Sequence, residues 1–279
     1  LMRFSVRHST LYSYSAPVRL CRHLVRLHPR HTDVTIQRER LRIEPAPALQ
    51  ATVSDHHANR TTQVDFAGVT DRLWIESCFE LETAPPKHVE NALPSLPWRL
   101  QGGAEPECGA WAEFAGEAGL KVRSFAAELA ARSGGDALIF LDELNSELFS
   151  RTERRIRDAG YAQDPEETLT KAKGACRDLA LLFMTAARSV GLPARFVSGY
   201  QGQAETPDGR RHLHAWPEVF LPGAGWRGYD PTHGVAVSEG HVALCSGPDQ
   251  RSTMPVEGGY YGDGVNSTLT FNLEIRIDK

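Results

Sequence analysis

Alternation of apolar and polar residues dominates the first part of the chain. Leu41 and Ile43 alternate with Arg40, Arg42 and Glu44, and Leu73, Ile75, Phe79 and Leu81 alternate with Arg72, Trp74, Glu76, Glu80 and Glu82. A period of two with one apolar side predicts half-buried strands. The runs are short and are broken by proline and by Asn-Arg or Ala-Gly turns, which predicts a small antiparallel sandwich. Between 85 and 108 the character changes, with Pro85, Pro86, Pro94, Pro97, Gly102, Gly103 and Pro106 predicting an extended linker. The apolar period then lengthens. Trp111 to Ala131 and Asp136 to about Asp158 read as helices, the second with Leu138, Leu141, Leu144 and Leu148 on one stripe.

Asp164-Pro165-Glu166-Glu167 is a helix start, with an N-cap Asp, Pro in the first turn and acids behind it. That helix is expected to end near Gly174, and another begins at once. Its buried stripe is Leu179, Leu182, Phe183, Ala186 and Val190, and Gly191-Leu192-Pro193 stops it. Ala194 to Tyr200 reads as a strand, followed by a polar loop from Gln201 to Arg211 with Pro207-Asp208-Gly209 at its tip. His214 to Leu221 and Trp226 to Asp230 form a hairpin around Pro222-Gly223-Ala224-Gly225. Leu269, Phe271, Leu273, Ile275 and Ile277 alternate with polar residues, so the last strand has one dry face. These patterns divide the chain into a β-rich unit at 1–84, a linker at 85–108 and an α+β unit at 109–279.

Composition narrows the partners. Hydrophobic residues at 41% and charged residues at 24% describe an ordinary globular protein, and a net charge of -4 argues against nucleic acid or an anionic membrane. The early arginines, Arg19, Arg22, Arg26, Arg30, Arg38, Arg40 and Arg42, are interrupted by Glu39 and Glu44 and read as a solvated strand face. No apolar stretch approaches the roughly 20 residues that span a bilayer. The first residues lack the apolar core of a signal peptide, so a cytoplasmic protein is expected. Five cysteines, odd in number and without a Cys-x-x-Cys pair, suggest neither a disulfide framework nor a zinc site. No calcium loop of EF-hand form appears, and neither metal nor cofactor is expected.

Cys176 changes this bland picture. A cysteine on an apolar helix is usually a small buried hydrophobe, and Cys21, Cys78, Cys108 and Cys245 have no context against that reading. Cys176 instead opens a helix after a glycine turn, in Lys173-Gly174-Ala175-Cys176-Arg177-Asp178. There the macrodipole favours a thiolate, and backbone N–H groups without intrahelical partners can receive an oxyanion. His212, His214 and His233 compete for the role of base, and Asp230 ends the strand beside His214. Hairpin register decides whether that pair can meet. If Leu221 faced Trp226, His214 and Asp230 would point to opposite faces. If Phe220 faces Trp226 across a five-residue loop, they become diagonal neighbours on one face. A five-residue loop or a bulge is therefore expected, and Pro217, awkward in a central strand, is a candidate for the bulge.

The blocks Lys-Gly-Ala-Cys-Arg-Asp-Leu-Ala at 173–180, Gly-Leu-Pro-Ala-Arg-Phe-Val-Ser-Gly-Tyr at 191–200, His-Ala-Trp-Pro-Glu-Val-Phe-Leu-Pro at 214–222 and Gly-Trp-Arg-Gly-Tyr-Asp-Pro-Thr at 225–232 resemble the transglutaminase-like superfamily core. The whole chain is similar to bacterial transglutaminase-like proteins described as cysteine proteases, which open with a β-rich domain. This resemblance implies an α+β fold, a β-sandwich followed by a papain-like core with the nucleophile at a helix N-terminus packed on an antiparallel sheet. It also implies that Cys176 is the nucleophile, His214 the base and Asp230 the orienting acid, while His212 and His233 match no catalytic position. Arg177, Tyr200 and Trp216 are candidate substrate contacts, against the alternatives that Asp178 pairs with a nearby cation and that the aromatics pack around the sheet. The expected activity is hydrolysis of a peptide or protein amide through a thioester. Transglutaminase-type transfer to an amine and a non-catalytic peptide-binding scaffold remain the alternatives. Oligomeric state is left open.

Overall fold

The structure is a computed structural model describing residues 1–32, 34–86, 88–89, 92–98, 118–157, 159–203, 206 and 208–278. The expected start of the first helix at Trp111, most of the second half of the linker, Cys108 and Pro207 lie outside these residues. In chain order the first strands are β1 (Met2–Leu20), β2 (His23–Val25), β3 (Val34–Glu44), β4 (Leu49–Ser54), β5 (Arg60–Asp65) and β6 (Thr70–Thr83). Then come α1 (Leu120–Arg132), α2 (Ala137–Arg151), β7 (Glu153–Arg154), α3 (Pro165–Lys171), β8 (Lys173–Gly174) and α4 (Cys176–Ser189). The remainder is β9 (Ala194–Gln201), β10 (His214–Leu221), β11 (Gly225–Asp230), β12 (Val235–Ala236), β13 (His241–Gly247), β14 (Val256–Glu257), β15 (Tyr260–Tyr261) and β16 (Ser267–Asp278). No helix among them is long and apolar enough to cross a membrane.

The alternating apolar residues of the N-terminal strands do face one core. Phe4 and Val6 from β1 meet Leu73, Ile75, Phe79 and Leu81 from β6, all buried. One sheet joins β1, β6 and β3, and a second joins β14, β2, β5 and β4. The C-terminal end, which the pattern assigns to the α+β unit, belongs here instead. β16 pairs with β1 from Arg3↔Asp278 to Tyr14↔Ser267, β15 pairs with the end of β1, and β14 pairs with β2. Alternation predicts that a strand has a dry face but carries no information about which sheet will take it.

The second sheet system has the order β12-β11-β10-β9-β13 and is covered on both sides. On one side lie the helices, where Leu141, Leu144 and Leu148 of α2 and Leu179, Leu182 and Phe183 of α4 meet Phe196, Val219 and Tyr229 of the sheet. On the other side Tyr200, Val242, Leu244 and Cys245 enter the N-terminal core. The two units therefore share a wall. Helix boundaries follow local chemistry. Asp164 caps α3 by accepting from the Glu166 and Glu167 N–H groups, and α3 closes at Ala172 in the left-handed region (φ 51°), short of the expected Gly174. Gly191 (φ 88°) stops α4, and a Cβ there would stand 2.0 Å from the Trp98 carbonyl oxygen.

Candidate active site

The start of α4 is held from outside the helix. Asp178, fully buried, reaches back to accept the Ala175 N–H at 2.7 Å and also accepts both the backbone and side-chain N–H groups of Gln163. Arg157 grips both of its oxygens, at 3.0 and 2.8 Å. This is half of a capping box, with the acid supplied and no side-chain oxygen at Ala175. It fixes the orientation of the first turn, and so of Cys176.

The Cys176 thiol meets the His214 side chain and the Ala215 backbone N–H. Burial opposes the thiolate, but the His214 hydrogen bond and charge, the Ala215 N–H and the Arg177 charge outweigh it, and the pKa moves down. For His214 burial opposes the imidazolium, while the charge and hydrogen bond of Asp230 and contact with Cys176 raise the pKa strongly. Both shifts favour a thiolate–imidazolium pair. Asp230 holds Nε2 of His214 at 2.8 Å, so Nδ1 is the nitrogen left to serve the thiol.

Hairpin register makes this possible. Phe220 faces Trp226 and Glu218 faces Gly228, the register that puts His214 and Asp230 on one face. Pairing continues one step further to Leu221↔Gly225, so the turn has three residues rather than the five expected. Pro217 forms no bulge. Its strand runs unbroken along β9 from His214↔Gly199 to Val219↔Ala194, and the β11 ladder begins only at Glu218, so no bond is lost to the missing N–H on that edge. Gly199 opposite His214 allows close packing, since a Cβ there would lie 2.2 Å from the Val242 carbonyl oxygen and 2.6 Å from the Trp216 ring.

Asp230 gathers more partners than the sequence discloses. Its Oδ2 also meets Nδ1 of His233 at 2.8 Å and Nε2 of His241 at 3.0 Å, and its Oδ1 accepts the Thr232 N–H at 3.1 Å. The Ser238 N–H donates to Nδ1 of His241, which places the remaining proton on Nε2 and leaves that ring neutral. Burial lowers the His241 pKa despite Asp230, in keeping with this. Asp230 itself, although burial opposes its charge, is held well below the ordinary carboxylate range by His214 and the two other imidazoles. Ligand atoms of His214, Asp230 and His233 lie within 4.8 Å of one another, a spacing open to a divalent cation, yet the hydrogen bonds account for the closeness without one. His233 has a faint signal in the sequence, three residues beyond Asp230 and facing back across a turn. His241 has none, because the β9–β13 pairing that delivers it is remote in sequence.

A cavity of about 450 Å³ opens over Cys176, His214 and His233. Arg177 lines it and donates to the Ala159 carbonyl at 2.6 Å. Tyr200 and Trp216 do not. Tyr200 is fully buried in the N-terminal core with its hydroxyl 2.7 Å from Nδ1 of His8, and Trp216 is buried between the His214 and His241 rings. Both aromatics are packing residues, because β9 and β10 are covered at those positions. His212 lies at the cavity beside Asp208, away from the Asp230 cluster.

Comparison with known proteins places these features. Residues 124–231 match the transglutaminase-like superfamily, and residues 4–82 match the bacterial transglutaminase-like N-terminal region. An uncharacterized protein of Mycobacterium bovis is 28% identical over 292 residues, covering 98% of this chain and 92% of that protein. A protein-glutamine gamma-glutamyltransferase of Pseudomonas aeruginosa is 41% identical over 69 residues, 23% of this chain and 10% of its own length. The crystal structure of a candidate cysteine protease from Cytophaga hutchinsonii superposes with a TM-score of 0.73 at 18% identity, covering 99% of this chain and 90% of the other, a likeness of fold.

Proposed function

We propose that this chain, whose residues 124–231 match the transglutaminase-like superfamily of cysteine-dependent enzymes, is a thiol-dependent amide hydrolase working through Cys176, His214 and Asp230. One observation carries the reading: the thiol at the start of α4 meets an imidazole whose other nitrogen is held by a buried carboxylate at 2.8 Å. The Cys176 thiolate adds to the amide carbonyl, and the oxyanion forms beside the first turn of α4, where N–H groups have no intrahelical acceptor. His214 gives its proton to the departing amine as the carbon–nitrogen bond breaks, leaving a thioester. Water, deprotonated by His214, then cleaves the thioester and restores the thiol.

Transfer to an amine is the second reading, favoured by the 69-residue match to a protein-glutamine gamma-glutamyltransferase. Both share every step up to the thioester. Iodoacetamide labelling of Cys176 between pH 5 and 8 tests the common part. Reaction with an apparent pKa below that of an ordinary thiol, lost in His214→Ala, is expected. An unreactive Cys176 would instead indicate a scaffold that has kept the fold. Incubating the enzyme with glutamine-containing peptides, with and without a primary amine, separates the acceptors. Hydrolysed product in both samples supports the hydrolase, and incorporated amine supports transfer.

A further inference from the structure

Three imidazoles converge on one oxygen of Asp230, and they differ in what their second nitrogen does. His214 gives Nε2 to the carboxylate and turns its other nitrogen to the Cys176 thiol. His241 gives Nε2 to the carboxylate and accepts the Ser238 N–H at Nδ1, and its side chain is 2% exposed. His233 gives Nδ1 to the carboxylate at 2.8 Å, while its Nε2 takes no hydrogen bond among the described residues. The His233 ring borders the cavity that opens over Cys176 and His214, and His241 lies outside that lining.

The uncommitted nitrogen is an acceptor. Asp230 is held ionised and has no proton to give, so the proton on the shared bond belongs to Nδ1 of His233. In the neutral ring Nε2 then carries a lone pair. A tight turn fixes the ring: Oδ1 of Asp230 accepts the Thr232 N–H, and the Asp230 carbonyl accepts the His233 and Gly234 N–H groups at 3.1 and 2.8 Å. Bracing Asp230 accounts for Nδ1 of His233 but not for an open Nε2 at the cavity.

The centroids of the His214 and His233 rings stand 5.1 Å apart. One atom that donates two hydrogen bonds of about 2.9 Å at a tetrahedral angle spans acceptors about 4.7 Å apart. Once His214 has passed its proton to the leaving amine, Nδ1 also carries a lone pair. The acylated site then offers two acceptors to the molecule that enters next.

We propose that His233 receives the acyl acceptor, and that the acceptor is of the class with two protons on its attacking atom, water or a primary amine. The inference rests on Cys176 being the nucleophile. As the acceptor's lone pair attacks the thioester carbon, one of its protons passes to Nδ1 of His214 and the other stays bonded to Nε2 of His233. The carbon–sulfur bond then breaks, sulfur leaves as the thiolate beside the His214 imidazolium, and the product is a carboxylic acid or an N-substituted amide. A secondary amine has one proton and satisfies only one of the two rings.

4-Nitrophenyl acetate separates the half-reactions, because the nitrophenol burst follows acylation and the steady rate follows release of the acetyl group. Mass spectrometry of the Cys176 peptide shows where that group sits. Methylamine should speed release more than dimethylamine does. The ratio of their rates should exceed the ratio for S-acetylglutathione by about tenfold, the size of one hydrogen bond. In His233→Leu, which keeps the bulk of the ring, this ratio should fall to the glutathione value, and release to water should slow by about tenfold relative to the burst. His233→Gln, whose amide can donate to Asp230 and accept from the incoming molecule, should recover part of both. A wild-type ratio equal to that of glutathione overturns the inference without any variant, and so does a Leu variant that keeps the wild-type ratio. Absence of acetyl on Cys176 would instead remove the reading of that residue on which the inference stands.

Discussion

Asp230 is the residue on which the site's electrostatics turn. One carboxylate oxygen is shared by His214, His233 and His241, and each contact falls between 2.8 and 3.0 Å. Its charge opposes the burial that would otherwise keep His214 neutral, and the raised His214 in turn draws down the Cys176 pKa. Asp230→Asn removes that charge and offers an amide N–H where His214 needs an acceptor. The His214 pKa should fall and the Cys176 pKa should rise, so labelling at pH 6 should slow at least tenfold and its pH profile should move toward higher pH. Turnover of any substrate should fall by about 10³–10⁴, the scale of misorienting the imidazole in acyl-transfer triads. His233→Gln leaves two imidazoles on the carboxylate, and its effect should be the smaller one. A D230N profile superimposable on wild type would mean that Asp230 does not govern the thiol.

Among the elements, α4 is the one whose placement decides the chemistry, and its first turn is fixed by Asp178. Asp178→Ala leaves the Arg157 guanidinium without its carboxylate and strips acceptors from Ala175 N–H and Gln163. Removing one partner of a buried ion pair costs about 3 kcal/mol, which a thermal melt would report as a clear fall in Tm. Slower labelling of Cys176 below the melting range should accompany it, because the thiol loses its fixed direction. Unchanged Tm and labelling would reduce Asp178 to a bystander. Asp178 was readable in part from the sequence, as an acid at a helix start expected to find a cation, though Arg157 as the partner was not. The same boundary separates the strands. β10 and β11 are joined by a short turn, so alternation narrows the hairpin to two registers, and the requirement that His214 meet Asp230 points to the one the structure has. β13 and β16 reach their partners across long stretches of chain, and nothing in their own residues names β9 or β1. His241 is therefore invisible in the sequence, and Tyr200 and Trp216, which the sequence offers as substrate contacts, are buried by the layers on each side.

The whole molecule is built on a shared wall, and that wall gives it a predictable response to acid. Tyr200 of β9 enters the N-terminal core, and its hydroxyl bonds to His8 of β1 at 2.7 Å. His8 is buried, and burial lowers its pKa from 6.5 to about 4. The unfolded chain can take up a proton at His8 below about pH 6.5, while the folded chain cannot until about pH 4, so the unfolded state binds more protons in between. Stability is then fully present above pH 6.5 and falls as the pH drops through this window, by up to about 3 kcal/mol for a displacement of this size. His23 and His241 are shifted in the same direction, burial being the leading cause in each, and add to the slope. His8→Gln keeps a hydrogen-bonding group toward Tyr200 but cannot titrate. Thermal melts at pH 7, 6 and 5 should show wild-type Tm falling more steeply than that of the variant, with the gap widening toward pH 5. Parallel curves would show that His8 does not couple protonation to the junction.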